Sequence, residues 1–206
     1  MRLLAAVLSS VFLSGCSVFG ANGVESAPYT VIEADEDNNI EVRHYDPMVL
    51  VSTSMDERSE NSAFRKLFRY ISGDNRGDTE IAMTAPVFMD DDTEGKEIAM
   101  TAPVFMAGNT SEPSMSFVMP ANFTLETTPQ PTDESLTVSE VRNFKAVAIT
   151  FSGLLIDSNV DKHTAILREW LENTNYQVAG EPVKAGYDGP MTLPFLRRND
   201  VLIPIK

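Results

Sequence analysis

The chain writes one plan twice. Glu41-Val42-Arg43-His44-Tyr45 recurs as Glu140-Val141-Arg142-Asn143-Phe144, 99 residues later. Each copy leads into an apolar strand-like run, Met48 to Met55 in the first half and Ala146 to Phe151 in the second. Each run then gives way to helical spacing. Ala63, Phe64, Leu67, Phe68 and Ile71 mark a helix from Ser59 to about Ser72, stopped by Gly73. Val160, Ile166, Leu167, Trp170 and Leu171 mark a second helix behind Ser158, and Ser59 and Ser158 are the expected N-caps. Two strands open the first half, Tyr29 to Ala34 and Asn39 to Tyr45, joined by the turn-forming Asp35-Glu36-Asp37-Asn38. Two such halves pack as one pseudo-symmetric sheet or barrel carrying two helices, an α+β domain.

A second repeat is local. Glu80-Ile81-Ala82-Met83-Thr84-Ala85-Pro86-Val87-Phe88-Met89 returns unchanged as Glu97 to Met106, 17 residues on. Two copies joined by Asp90 to Lys96 predict adjacent strands, antiparallel, each interrupted by a proline that lacks an N–H.

The N-terminus reads as an address. Arg2 precedes an apolar run from Leu3 to Leu13, too short to span a hydrocarbon core about 30 Å thick. Leu13-Ser14-Gly15-Cys16 then resembles a bacterial lipobox, in which the cysteine is acylated and becomes the first residue. This divides the chain into a signal peptide (1–15), a tether (16–28) rich in Gly, Asn and Ser, and a folded domain (29–206). Ser17 behind the cysteine points to the outer membrane, so the expected location is the cell envelope, lipid-anchored on the periplasmic face.

Thirty acids against 16 bases give a formal charge of −14. That surface repels phosphate backbones, and no basic stripe offsets it, which argues against a nucleic-acid partner. A single cysteine excludes a disulfide framework and a Cys-rich zinc site. Catalysis finds little support. No GxSxG elbow is present, Cys16 belongs to the lipobox, and the carboxylates show no informative spacing. Asp90, Asp92, Glu94 and Gly95 imitate the start of an EF-hand, but Thr101 stands where the bidentate glutamate belongs.

Two histidines remain. His163, just before Ile166 and Leu167, reads as a packed helix residue. His44 shares a strand face with Ile40 and Val42, where an imidazole can ligate a haem iron or satisfy a backbone carbonyl. Met83, Met89, Met100, Met106, Met115 and Met119 fit either a methionine-rich closed core or a surface adapted to flat apolar ligands.

Several strings together resemble the SOUL haem-binding protein family. They are Tyr29-Thr30-Val31-Ile32, Ile40 to Tyr45, Ala63-Phe64 through Asn75, the doubled Ile-Ala-Met-Thr-Ala-Pro-Val, Met115 to Pro120, Pro129-Gln130-Pro131, Ala185 to Pro190, and Leu196 to Val201. The resemblance runs in order from 29 to 205. It implies a distorted antiparallel β-barrel with two helices, built from a duplicated unit and related to effector-binding domains. It also implies non-covalent binding of haem or a related tetrapyrrole in an apolar groove, without catalysis, and places His44 at an axial-ligand position. Arg65, Lys66 and Arg69 on the first helix are then candidates to pair with haem propionates. The alternative function is a promiscuous carrier or sensor of flat amphipathic small molecules.

Overall fold

The computed structural model describes residues 24–55, 60–77, 95–108, 112–189 and 191–206. Thirteen strands and two helices follow in chain order: β1 (Glu25–Ser26), β2 (Tyr29–Asp35), β3 (Ile40–Tyr45), β4 (Met48–Ser54), α1 (Glu60–Ile71), β5 (Asn75–Arg76), β6 (Thr101–Ala102), β7 (Val104–Ala107), β8 (Ser114–Val118), β9 (Gln130–Pro131), β10 (Leu136–Val141), β11 (Lys145–Phe151), α2 (Asp157–Glu172), β12 (Val183–Gly186) and β13 (Asn199–Pro204). Nine strands form one antiparallel sheet in the order β10-β4-β8-β7-β12-β13-β11-β3-β2. The fold is α+β, a curled half-barrel with two helices.

The order of strands exposes the duplication. Setting β2 aside, it reads symmetrically about the β7–β12 pair: β8 answers β13, β4 answers β11, and β10 answers β3. The outer strands are exchanged. β3, from the first half, pairs with β11 of the second, while β10 from the second pairs with β4 of the first. Each half therefore completes its sheet with a strand from the other.

Alternation sorts the side chains onto two faces. On one, α1 covers Val49, Val51, Met115 and Phe117 through Ala63, Leu67, Tyr70 and Ile71. On the same face α2 covers Ile40, Val42, Val147, Ile149 and Ile203 through Val160, Leu167 and Leu171. The other face is concave. Tyr45 on β3 reaches Phe105 on β7 at 6.3 Å between ring centroids, although three strands lie between them in the sheet. Alanines at 146, 148 and 185 make room for these rings.

Several expectations change in detail. The 99-residue string match does not survive as a structural equivalence. Val42 faces α2, whereas Val141 pairs with Met48 on the concave side. A slip of one residue turns every side chain to the opposite face, so Arg43 is buried and Arg142 is exposed. Ser158 is not an N-cap. α2 starts at Asp157 behind Ile156, which is extended and provides no side-chain cap. Ser59 lies outside the described residues. Phe68 belongs to the apolar periodicity of α1 but is half-exposed, stacked on Phe64. The first copy of the local repeat also lies outside the described residues. The second copy forms β6 and β7 around the cis Ala102–Pro103 bond, and β7 has β8 and β12 on its two sides, so it does not pair as expected. Within the expected tether, Glu25–Ser26 pairs in parallel with Thr101–Ala102, and Ala27 is buried.

Truncation should separate the two kinds of helix residue. Leu67→Ala, at a fully buried site, should cost about 2–5 kcal/mol in chemical denaturation. Phe68→Ala should cost about 1 kcal/mol or less, the value of an exposed aromatic contact.

Candidate functional site

The concave face holds a buried ionic cluster. Asp200, on β13, is fully buried within the run Asn199 to Ile203. Its Oδ2 accepts from Arg43 Nη1 at 2.5 Å, from the Tyr187 hydroxyl at 2.7 Å and from Arg198 Nη2 at 3.3 Å. Its Oδ1 accepts from Thr150 Oγ1 at 2.8 Å. Arg43 also donates to Thr150 and, through Nε, to Glu41 at 2.7 Å. Aromatic faces complete the shell: the Arg43 guanidinium lies over Tyr29 at 4.6 Å, and that of Arg198 over Tyr187 at 4.1 Å.

Burial pushes the Asp200 carboxyl upward, but Arg43 and Arg198 outweigh it and hold the group below its ordinary range. Burial pushes the Tyr45 phenol up to about 12, against the opposing pull of Arg43. The Tyr187 phenol is raised as well, first by burial and then by the Asp200 charge. These groups are locked against one another, which suits structure more than proton transfer at neutral pH. The signal for the cluster was present in the chain: Asp200 sits one residue before the apolar run Val201-Leu202-Ile203. A charge inside such a strand needs a buried partner.

The helix face carries a cleft of about 430 Å³ beneath the C-terminal half of α2. Leu171, Tyr176, Val178, Pro182 and Ile203 line it, and the Arg168–Glu181 ion pair, at 3.8 Å, borders it. His44 belongs to the same face of the sheet. It is half-buried at the end of β3, paired with Thr30 on β2 and Lys145 on β11, and its imidazole has no hydrogen-bond partner among the described residues. The cleft floor at Ile203 lies two strands away and one pleat back, in register with Val147 and Val42. That spacing corresponds to about 12 Å along the sheet.

The cations of α1 stand elsewhere. Arg65 is exposed, Lys66 Nζ donates to Ser135 Oγ at 3.0 Å, and Arg69 approaches Asp133 at 4.0 Å. Hydrogen bonds from Ser135, assisted by Lys66 and Arg69, hold the Asp133 carboxyl below its usual range. Ser135 adjoins Leu136, which pairs with Thr53, whereas His44 lies just before Met48 at the opposite end of β4. Five strand residues separate those ends, about 17 Å. The structure does not bring His44 together with Arg65, Lys66 and Arg69.

Other candidates resolve as packing. His163 stacks on Phe151 at 4.0 Å, with Nδ1 2.6 Å from the Asn159 carbonyl. Met115 and Met119 are buried in the core beneath α1. Met83 and Met89 lie outside the described residues, as do Asp90, Asp92, Glu94 and Cys16.

A family model described as SOUL heme-binding protein matches residues 24–204. The chain belongs to the SOUL family. A curated relative, mouse Heme-binding protein 1, is 28% identical over 196 residues, covering 90% of this chain and 94% of the relative. Solved structures add the shape. The C-terminal domain of EcmrR superposes with a TM-score of 0.52 at 14% identity, covering 86% of this SOUL chain and 98% of that domain. A hydrolase from Listeria innocua gives 0.54 at 11%, covering 82% and 92%. EcmrR in its DNA complex gives 0.56 at 11% identity. There the match covers 81% of this chain, and this chain spans 57% of that one. At these identities the likeness is one of fold.

The sign of the Asp200 shift sets an acid dependence for this SOUL domain. Its folded pKa is depressed, so its contribution is complete above the unfolded value near 4 and is lost as pH falls through the folded one. Asp200→Asn should cost about 3–5 kcal/mol at pH 7. The gap from the parent chain should narrow below about pH 4. A gap that stays constant to acid unfolding would contradict an ionised Asp200.

Proposed function

We propose that this chain is a lipid-anchored, non-enzymatic carrier of haem or a related tetrapyrrole, held at the periplasmic face of the outer membrane. The family match over residues 24–204 carries the reading of the ligand. Two local features support it. The helix-side cleft, about 430 Å³ and lined by Leu171, Tyr176, Val178, Pro182 and Ile203 together with Arg168, Glu172 and Glu181, falls in the size range of small-molecule sites, and His44 on the same sheet face presents an imidazole with no competing partner among the described residues. His44 and Arg168 would be the residues to hold such a macrocycle at the cleft, through its iron and a propionate respectively. Burial of porphyrin area would supply most of the affinity, and the His44 imidazole would contribute a ligand to the iron. The propionate role expected for Arg65, Lys66 and Arg69 is not kept, because α1 holds them toward the end of β4 opposite His44.

Haemin titrated into the protein should produce a saturable Soret shift. His44→Ala should alter the bound spectrum and weaken binding about tenfold, equivalent to ~1.4 kcal/mol. Val178→Glu, on the half-exposed cleft wall, should weaken binding and leave the spectrum of the bound fraction unchanged. Titrations indifferent to both substitutions would move the ligand off this face. Flat hydrophobic dyes that compete as well as haemin would favour the broader carrier.

The anchor has its own readout. Mass spectrometry of the membrane-extracted protein should show a chain beginning at an acylated Cys16, and Cys16→Ser should shift the protein into the soluble fraction. An unmodified Cys16 in the extracted chain would remove the anchor and leave the ligand reading standing.

A further inference from the structure

Among the described residues, large apolar side chains are exposed in several places, and six of them gather at one. Leu154 and Ile156 lie on the turn between β11 and α2; Met191, Leu193, Phe195 and Leu196 lie on the excursion between β12 and β13. Met191 is 93% and Phe195 70% exposed, close to the values of free side chains. The two segments are fastened together. Gly153, at φ +115° in the region that favours glycine, donates to the Pro194 carbonyl at 2.8 Å, and Asn199 Nδ2 donates to the Gly153 carbonyl at 3.1 Å. Arg197 Nε closes the excursion onto the Thr192 carbonyl at 2.7 Å. The result is a braced lip with its apolar side chains directed outward. Such a concentration of exposed apolar side chains marks a contact site.

The path of the chain identifies what lies opposite. Ser26 pairs with Ala102, Val104 follows two residues later, and Val104 pairs with Gly186, where the excursion begins. The N-terminal segment thus enters the domain at the same end of β7 and β12 from which the lip projects. Seven residues, and so eight Cα–Cα steps, separate Cys16 from Val24. Fully extended, they span at most about 29 Å. A domain acylated at Cys16 is thereby kept close to the bilayer on its lip side. The net charge of −14 disfavours a broad electrostatic contact with anionic headgroups, which leaves an apolar local contact as the stable one.

We propose that the lip formed by Leu154, Ile156, Met191, Leu193, Phe195 and Leu196 seats the anchored domain on the phospholipid surface, with Phe195 and Leu196 at the headgroup–acyl boundary. This rests on the lipid-anchor reading and goes beyond it by assigning the surface that meets the membrane. The opposite end of α2 faces water. From Ile156 to Glu169 that helix rises about 20 Å.

The test uses the full acylated chain in vesicles of phosphatidylethanolamine and phosphatidylglycerol. A nitroxide is attached at Phe195→Cys or, as control, at Glu169→Cys, with Cys16 blocked by its own lipid. The label at 195 should be relaxed by oxygen and shielded from an aqueous nickel chelate at least several-fold more than the label at 169. Adding Leu193→Glu and Leu196→Glu should return the 195 label to aqueous accessibility while the chain still floats with the vesicles. Equal aqueous accessibility at both positions in a chain that floats overturns the lip and leaves the anchor intact. A chain that carries no acyl group and stays off the vesicles overturns both. Shielding at 195 accompanied by spin–spin broadening that disappears on dilution with unlabelled chain overturns the proposal in favour of contact between two copies. Shielding that requires haemin, with the glutamate substitutions abolishing the Soret shift, overturns it in favour of the macrocycle.

Discussion

Asp200 is a carboxylate with no access to water, and its neutralisation organises much of the second half of the molecule. The residue that answers it most closely, Arg43, arrives on β3, the strand that the first half contributes to the second. The ion pair therefore clasps the exchanged strand. Were β3 to slip by one residue, Arg43 would turn toward α2 and Val42 into the ionic cluster. The first would put an unpaired guanidinium against Val147 and Ile203; the second would leave Asp200 short of a cation. Register in apolar strands is otherwise specified only by which face is greasy, and here both faces of β3 are buried. A buried charge pair resolves that ambiguity, the best-attested use of such pairs.

The pseudo-twofold makes the contrast between halves informative. The β4–β8 pair, which answers β11–β13, joins Ser52 and Ser116 at 2.7 Å on the concave face. The β11–β13 pair joins Thr150 and Asp200 there at 2.8 Å. One half closes its concave face with neutral hydroxyls and the other with charge. Arg142 faces solvent and pairs with Glu140 at 2.8 Å. Duplication thus supplied two copies of a backbone plan, and among the described residues the fixed ionic centre belongs to one of them. The helix face diverges as well, with the cleft and His44 on the α2 side and the Lys66–Ser135 contact on the α1 side.

Much of this architecture is legible in the chain because it rests on periodicity. The runs Tyr29 to Ala34, Asn39 to Tyr45, Met48 to Met55 and Ala146 to Phe151 appear as strands within a residue or so of those bounds, and both helices appear where the apolar spacing places them. What escaped is what periodicity does not encode. The exchange of β3 and β10 depends on which edge each strand finds after the chain has turned, information carried by tertiary pairing alone. Ser158 has an N-capping side chain, yet Ile156 occupies the capping position, because Gly153 and Pro194 fix where the chain enters α2. The identical repeat invites the inference that the copies pair, but β7 is already flanked on both sides. At the site, strand alternation places His44 on the sheet face it occupies, whereas the cleft, built from α2, the turn after it and Ile203, has no local signature.

Cleft and lip divide the α2 side between them. The cleft opens under the C-terminal half of α2, at Arg168 and Leu171, and the lip surrounds its N-terminus at Ile156. From Ile156 to Arg168 the helix rises about 18 Å, which sets the spacing of one apolar feature from the other. Neither needs to open for the other to be filled. Lys184 strengthens the separation. Its ammonium lies 3.3 Å from Asp157 and 3.6 Å from Glu60, tying the first residues of the two helices across the β7–β12 axis. On the proposed reading, ligand binding and membrane seating would fall at opposite ends of α2.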